Sequence, residues 1–134
     1  MIKLLLDTHV LYWLLVADER LSEEAKELLL SNDTKIFYSI ATLWEIAIKR
    51  NKYPDEYNFS EKQFEKYFKE AGYIELPIKA EHIFNLERLH FDNDKLKHSD
   101  PFDRIMISQA MTENMTFVTH DKTLSYYTAD IRII

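Results

Sequence analysis

The chain has no cysteine in 134 residues. That removes disulfides, cysteine-ligated zinc, iron–sulfur clusters and a thiol nucleophile together. It has one glycine, Gly72. A glycine-rich phosphate loop or dinucleotide fingerprint needs several, so both are excluded. Long apolar runs are missing too. The longest, Val10 to Ala17, has 8 residues, and a membrane span needs about 20. The first residues carry a lysine and then Asp7 after three leucines, which is not a secretory leader. The expectation is a soluble cytoplasmic protein with no membrane association. Positive charge is in short supply: 17 basic against 23 acidic side chains, a formal net of −6. Taken alone, that balance argues mildly against a nucleic-acid partner.

What is present is a chain of one-domain length, 46% hydrophobic, expected to fold as a single unit over 1–134. Short apolar runs alternate with amphipathic ones. Ile2 to Leu6 reads as a buried strand ending at Asp7. Thr8 to Leu15 reads as a helix capped by Thr8, and Ser22 opens a second helix with Glu23 and Glu24 in its first turn. Lys35 to Tyr38 is a strand, and Ser39 caps a helix whose apolar stripe is Ile40, Leu43, Trp44, Ala47 and Ile48. Glu45 flanks that stripe, with Lys49 four residues on. A polar loop, 51–59, leads to a capping box at Ser60–Gln63 and a buried face of Phe64, Tyr67, Phe68 and Ala71, stopped by Gly72. Tyr73 to Leu76 is a strand. Ala80 to Leu89 is a helix by Ile83, Phe84, Leu86 and Leu89. Asp100-Pro101 starts another helix that runs to about Asn114. Thr116 to Thr119 and Ile131 to Ile134 are the last strands. Strand and helix alternate throughout. The reading is α/β: a mostly parallel central sheet of about 4–5 strands, with helices on both faces and right-handed crossovers. Ligands on such sheets bind beyond the carboxyl ends of the strands.

Four acids abut apolar sequence: Asp7 after Leu6, Glu45 within Leu43–Ile48, Asp103 before Ile105-Met106-Ile107, and Asp121 after Val118-Thr119-His120. Burying a lone carboxylate is costly. Each also has a modest local explanation, as a helix cap, a turn residue or a partner of Lys49. Their joint placement suggests more: two at strand ends on one sheet edge, two on helices able to approach it. Converging carboxylates repel unless a cation joins them. Mg²⁺ or Mn²⁺ prefers such oxygen ligands and supports phosphodiester hydrolysis. Setting these four acids aside leaves 17 basic against 19 acidic side chains, so an acidic total does not exclude RNA. Lys49, Arg50 and Lys52, and Lys95, Lys97, His98 and Arg104, are candidates for substrate contact. Trp13 and Trp44 lie in apolar stripes and read as core.

At these residues the chain resembles PIN-domain proteins, specifically VapC-like toxins of toxin–antitoxin pairs. The likeness rests on Leu4–Leu11, Ser39–Lys49, His98–Arg104 with Ile107–Ala110, and Val118–Asp121, in that order over nearly the whole length. It implies a PIN-like parallel sheet between helices and a metal-dependent endoribonuclease using Mg²⁺ or Mn²⁺. The family's acidic positions match Asp7, Glu45, Asp103 and Asp121. Its small polar positions match Thr8 and Thr119. Asp100 matches an additional acid, read as a helix cap first and a ligand second. The resemblance also implies transfer or ribosomal RNA as substrate, a homodimer, and an antitoxin whose C-terminal segment covers the acids with an Arg or Lys. There are departures. Asn51 and Asn114 stand where relatives often have glycine, both compatible with left-handed turns, and Ser99 stands where a basic residue is common.

Two other readings stay open on sequence alone. A phosphatase with Asp7 as nucleophile would want a second Asp where His9 stands. A non-catalytic α/β protein-binding module is the third.

Overall fold

The computed structural model describes residues 1–134. Five strands, β1 (Ile2–Leu6), β2 (Thr34–Ser39), β3 (Ile74–Leu76), β4 (Thr116–Thr119) and β5 (Ile131–Ile133), form one sheet in the order β3-β2-β1-β4-β5. Every pairing is parallel. Six α-helices connect them: α1 (Thr8–Leu15), α2 (Glu23–Leu29), α3 (Ile40–Lys52), α4 (Glu61–Glu70), α5 (Ala80–Phe84) and α6 (Pro101–Thr112). Two 3₁₀ turns, Asn85–Arg88 and Lys122–Tyr126, complete the set. No helix is long and apolar enough to cross a membrane.

Strand alternation divides the core. Leu4 and Leu6 face one layer with Val10, Leu11, Phe64 and Phe68. Leu5 faces the other with Phe37, Met106, Ile107 and Phe117. Both faces of β1 are therefore covered, which is why its sequence runs apolar without a break. Helix α3 reaches both layers, through Ile46 and Ala41.

Helix ends are set locally. Ser22, Ser39 and Ser60 accept backbone N–H bonds at the starts of α2, α3 and α4, and Ser60 closes a capping box with Gln63. Helix α1 differs from expectation: Asp7 holds the cap position without a side-chain cap bond, and Thr8 is the first helical residue. Three helices end in a left-handed residue: Gly72 (φ 85°), Asn114 (φ 56°) and Ala17 (φ 54°). Asn51 is not one of them, because α3 continues to Lys52.

Two apolar stripes are rotated from their expected faces. On α3 the buried residues are Ala41, Thr42, Glu45 and Ile46, while Trp44 is 59% exposed. Trp44 rests edge-on against Phe102 at 5.0 Å instead of entering the core. On α5 the buried side chain is His82, while Ile83 and Phe84 face water, and the helix tightens to 3₁₀ after Phe84. On α4 Phe64 and Phe68 are buried, and Ala71, at the C-cap, is exposed.

Candidate active site at the carboxyl edge of the sheet

The chain lays β2 and β3 on one side of β1, then crosses back to lay β4 and β5 on the other. The order reverses between β1 and β4, and open parallel sheets carry their ligand crevice at that point. Asp7 follows β1 there, its N–H extending the ladder to the Val118 carbonyl at 2.9 Å. Thr119 ends β4 beside it, with Asp121 two residues on.

Asp7 is buried, and its Oδ2 accepts the Thr119 hydroxyl at 2.7 Å. The same Thr119 oxygen accepts the Asp121 N–H at 3.1 Å. Burial raises the Asp7 pKa. The Thr119 bond pulls against that, and the Glu45 charge adds to it. Glu45 is 4% exposed. Thr8 donates to its Oε1 at 2.7 Å and Lys49 reaches its Oε2 at 2.6 Å. Since the single Thr8 proton goes to Glu45, Thr42 must supply the proton in its 2.9 Å contact with Thr8. A chain of hydroxyls thus runs Thr42–Thr8–Glu45. Burial opposes the Lys49 ammonium, but the bond and charge of Glu45 outweigh it and raise its pKa.

Asp103 lies in the first turn of α6. Burial, then the charges of Asp7, Asp100, Glu45 and Asp121, push its pKa up to about 8. All four neighbouring acids thus oppose the ionisation of one carboxyl. His98 Nε2 meets Asp103 Oδ2 at 3.1 Å, and His98 Nδ1 meets the Tyr127 hydroxyl at 2.6 Å. Arg104 donates to that hydroxyl at 3.3 Å. Burial holds the His98 pKa below its usual value, with Asp100 and Asp121 opposing and Arg104 assisting. The His98 contact with Asp103 is a hydrogen bond that fixes the orientation of that carboxyl.

The remaining residues named from the sequence sit further out. Asp100 is exposed, and its Oδ1 caps α6 through the N–H groups of Phe102 (2.8 Å) and Asp103 (3.0 Å). Asp121 is exposed and caps the Lys122–Tyr126 turn through the Thr123 N–H at 2.9 Å. Arg50 lies outside the cluster, lining a separate hollow with Ala47, Asn51, Pro54 and Glu61. Sequence reasoning missed Thr42, Tyr127 and Gln109. Gln109 accepts the Ser39 hydroxyl at 2.6 Å and donates to the Leu76 and Pro77 carbonyls, tying α6 to the ends of β2 and β3. A glutamine amid Met106, Ile107 and Ala110 was the signal available for it.

The donor set consists of hard carboxylate oxygens, two of them buried, with Lys49 the only ammonium in contact. That chemistry fits a divalent cation such as Mg²⁺ or Mn²⁺. No three acidic or histidine side chains already stand at metal-ligand spacing, so the acids share a field without forming a closed cage.

The PIN domain model matches residues 4–129, and the chain belongs to the PIN-domain family. Its fold is that of chains in VapBC complexes. One is VapBC2 from Rickettsia felis, bound to a DNA fragment from their promoter (TM-score 0.68, 18% identity, 98% of each chain covered). Another is DNA-bound VapBC from Salmonella typhimurium (TM-score 0.64, 17% identity, 100% of this chain and 98% of the other). A third is a toxin–antitoxin complex from Klebsiella pneumoniae (TM-score 0.60, 18% identity, 96% and 94% covered). Among curated proteins there is no significant match.

Proposed function

We propose that this protein is a metal-dependent endoribonuclease, the toxin of a toxin–antitoxin pair. The observation that carries the reading is the burial of Asp7 and Glu45 at the carboxyl edge of the sheet, tied to each other's segments through Thr8 and held by Thr119, with Asp103 in the first turn of the helix packed beside α3. Asp7, Glu45, Asp103 and Asp121 would hold Mg²⁺ or Mn²⁺. When bound, such an ion supplies Lewis acidity at phosphorus oxygens and lowers the pKa of a water. The chain's own residues do the positioning. Thr119 orients Asp7, Thr8 orients Glu45, and the His98–Tyr127–Arg104 chain orients Asp103. Lys49 holds positive charge at Glu45 and stands near where a substrate phosphate would lie. Arg50 is further off and would meet only an extended substrate.

The relatives' VapBC complexes support a cognate antitoxin as partner. An Arg or Lys from it would offset the same acids that attract the cation. A homodimer, an RNA substrate such as transfer or ribosomal RNA, and a cytoplasmic setting belong to the same proposal. The open spacing of the acids favours one competing reading, a non-catalytic binding module. Incubating the purified chain with total cellular RNA, with and without Mg²⁺ or Mn²⁺, separates the two. Discrete new RNA ends that require the ion are expected. Intact RNA, together with no ion binding by calorimetry, would leave the binding module.

A further inference from the structure

Beside the acids lies a cleft of about 430 Å³ with His9, Trp13 and Tyr57 among its walls and Asp18, Arg20 and Glu56 around them. Its aromatic wall is ordered. The His9 ring stacks on Trp13 with centroids 5.8 Å apart and planes at 28°, and His120 meets Trp13 edge-on at 5.1 Å. Trp13 is buried and His9 exposed, so the outer imidazole face is an open flat surface.

Tyr57 is the second feature. It is 4% exposed, and its hydroxyl is the one buried side-chain polar atom in the chain without a hydrogen-bond partner. Buried hydroxyls are nearly always paired, and an unpaired one lowers stability. A partner from outside the chain would resolve it. His9 lines the cleft only two residues after Asp7, at the start of α1, so the cleft adjoins the carboxyl edge of the sheet.

Charge selects the occupant. Arg20 is held by Asp18 at 3.5 Å, and Glu56 adds a carboxylate without an ion pair. Such a lining disfavours phosphate. Carboxylates do accept hydrogen bonds from exocyclic amino groups of bases, and aromatic faces stack on bases of any sequence.

We infer that this cleft is a nucleobase subsite, in which one base of the RNA stacks on His9 and hydrogen-bonds the Tyr57 hydroxyl beside the phosphate to be cut. This rests on the nuclease reading and adds a substrate preference to it. Cytosine, adenine or guanine, each with an amino group, is favoured over uracil.

The test uses the full metal-free chain. In a Trp44→Phe background Trp13 is the only indole, and its N–H resonance reports on the cleft. Cytidine, adenosine, guanosine and uridine are titrated separately. Saturable shifts are expected, with at least one amino-bearing nucleoside binding about fivefold or more tighter than uridine. Tyr57→Phe should weaken all four nucleosides without lowering Tm, because the lost hydroxyl had no partner, and Glu56→Ala should abolish most of the preference. The same substitution should flatten the base preference beside the mapped RNA cuts. No saturable shift in folded protein, equal affinity for all four nucleosides, or an unchanged Tyr57→Phe variant would overturn the inference. Selective nucleoside binding without RNA cleavage would sink the nuclease reading and leave a base site. Cleavage without selective binding would do the reverse.

Discussion

Thr119 donates its hydroxyl to Asp7 across 112 residues of chain, at 2.7 Å, in a fully buried contact. It joins the ends of the two central strands and is the one side-chain hydrogen bond made to Asp7. Thr119→Val keeps the shape and removes the donor. Stability should fall by about 1–2 kcal/mol, and Mn²⁺ affinity by about tenfold or more. Thr119→Ser should retain both. Thermal melts and calorimetry on the two variants check this.

Asp103 makes the metal-free protein sensitive to alkaline pH. Its carboxyl is raised from 3.8 to about 8 in the fold. A raised carboxyl pKa favours the folded state at low pH, and that contribution is lost as pH rises from about 4 through about 8. Asp7 shifts in the same direction. The metal-free protein should therefore melt lower at pH 8.5 than at pH 5.5. Asp103→Asn should flatten the profile and melt several degrees higher at pH 8.5, because the repelled charge is gone. Mg²⁺ should raise Tm at pH 8.5 in the wild type and barely in the variant.

Lys49 competes with any cation for Glu45, which it holds at 2.6 Å. A third of the Lys49 side chain remains in water, so the pair contributes about 1 kcal/mol and no more. Lys49→Met should lower metal-free stability by about that amount and tighten Mn²⁺ binding several-fold. RNA affinity should fall. Calorimetry and RNA-binding titrations read the two opposite signs.

Asp100 is spent on the helix. Its Oδ1 takes two N–H groups of α6, which is the work of a cap. Asp100→Ala should cost about 1 kcal/mol while leaving Mn²⁺ affinity within about twofold, and Asp100→Ser should recover the stability. A tenfold loss of ion affinity in the serine variant would make Asp100 a ligand.

Strand ends, serine caps and the Asp-Pro helix start were legible in the sequence, because each depends on neighbours a few residues away. The parallel pairing followed from alternation; the strand order did not. The inner face of α3 was not legible. Thr42 and Glu45 are buried there because Thr8, more than thirty residues distant, completes their hydrogen bonds, and that partner exists only after folding. Apolarity alone points Trp44 into the core, whereas it is exposed and covers Phe102. His82 repeats the case on α5. It is buried at the expense of Ile83 and Phe84 because the Lys79 N–H and Glu113 satisfy both ring nitrogens. Among the acids, adjacency to apolar sequence pointed to the buried Asp7 and Glu45. It could not show that Asp121 is exposed, or that His98 and Tyr127 stand behind Asp103.

Anomalous scattering from crystals grown with Mn²⁺ tests the central claim most directly. The account predicts a manganese peak within ligand distance of carboxylate oxygens from Asp7 and Asp103, with Glu45 or Asp121 completing the set, and loss of that peak in Asp7→Asn. Ordered manganese only at other carboxylates, with these side chains left as they stand in the metal-free fold, would contradict it.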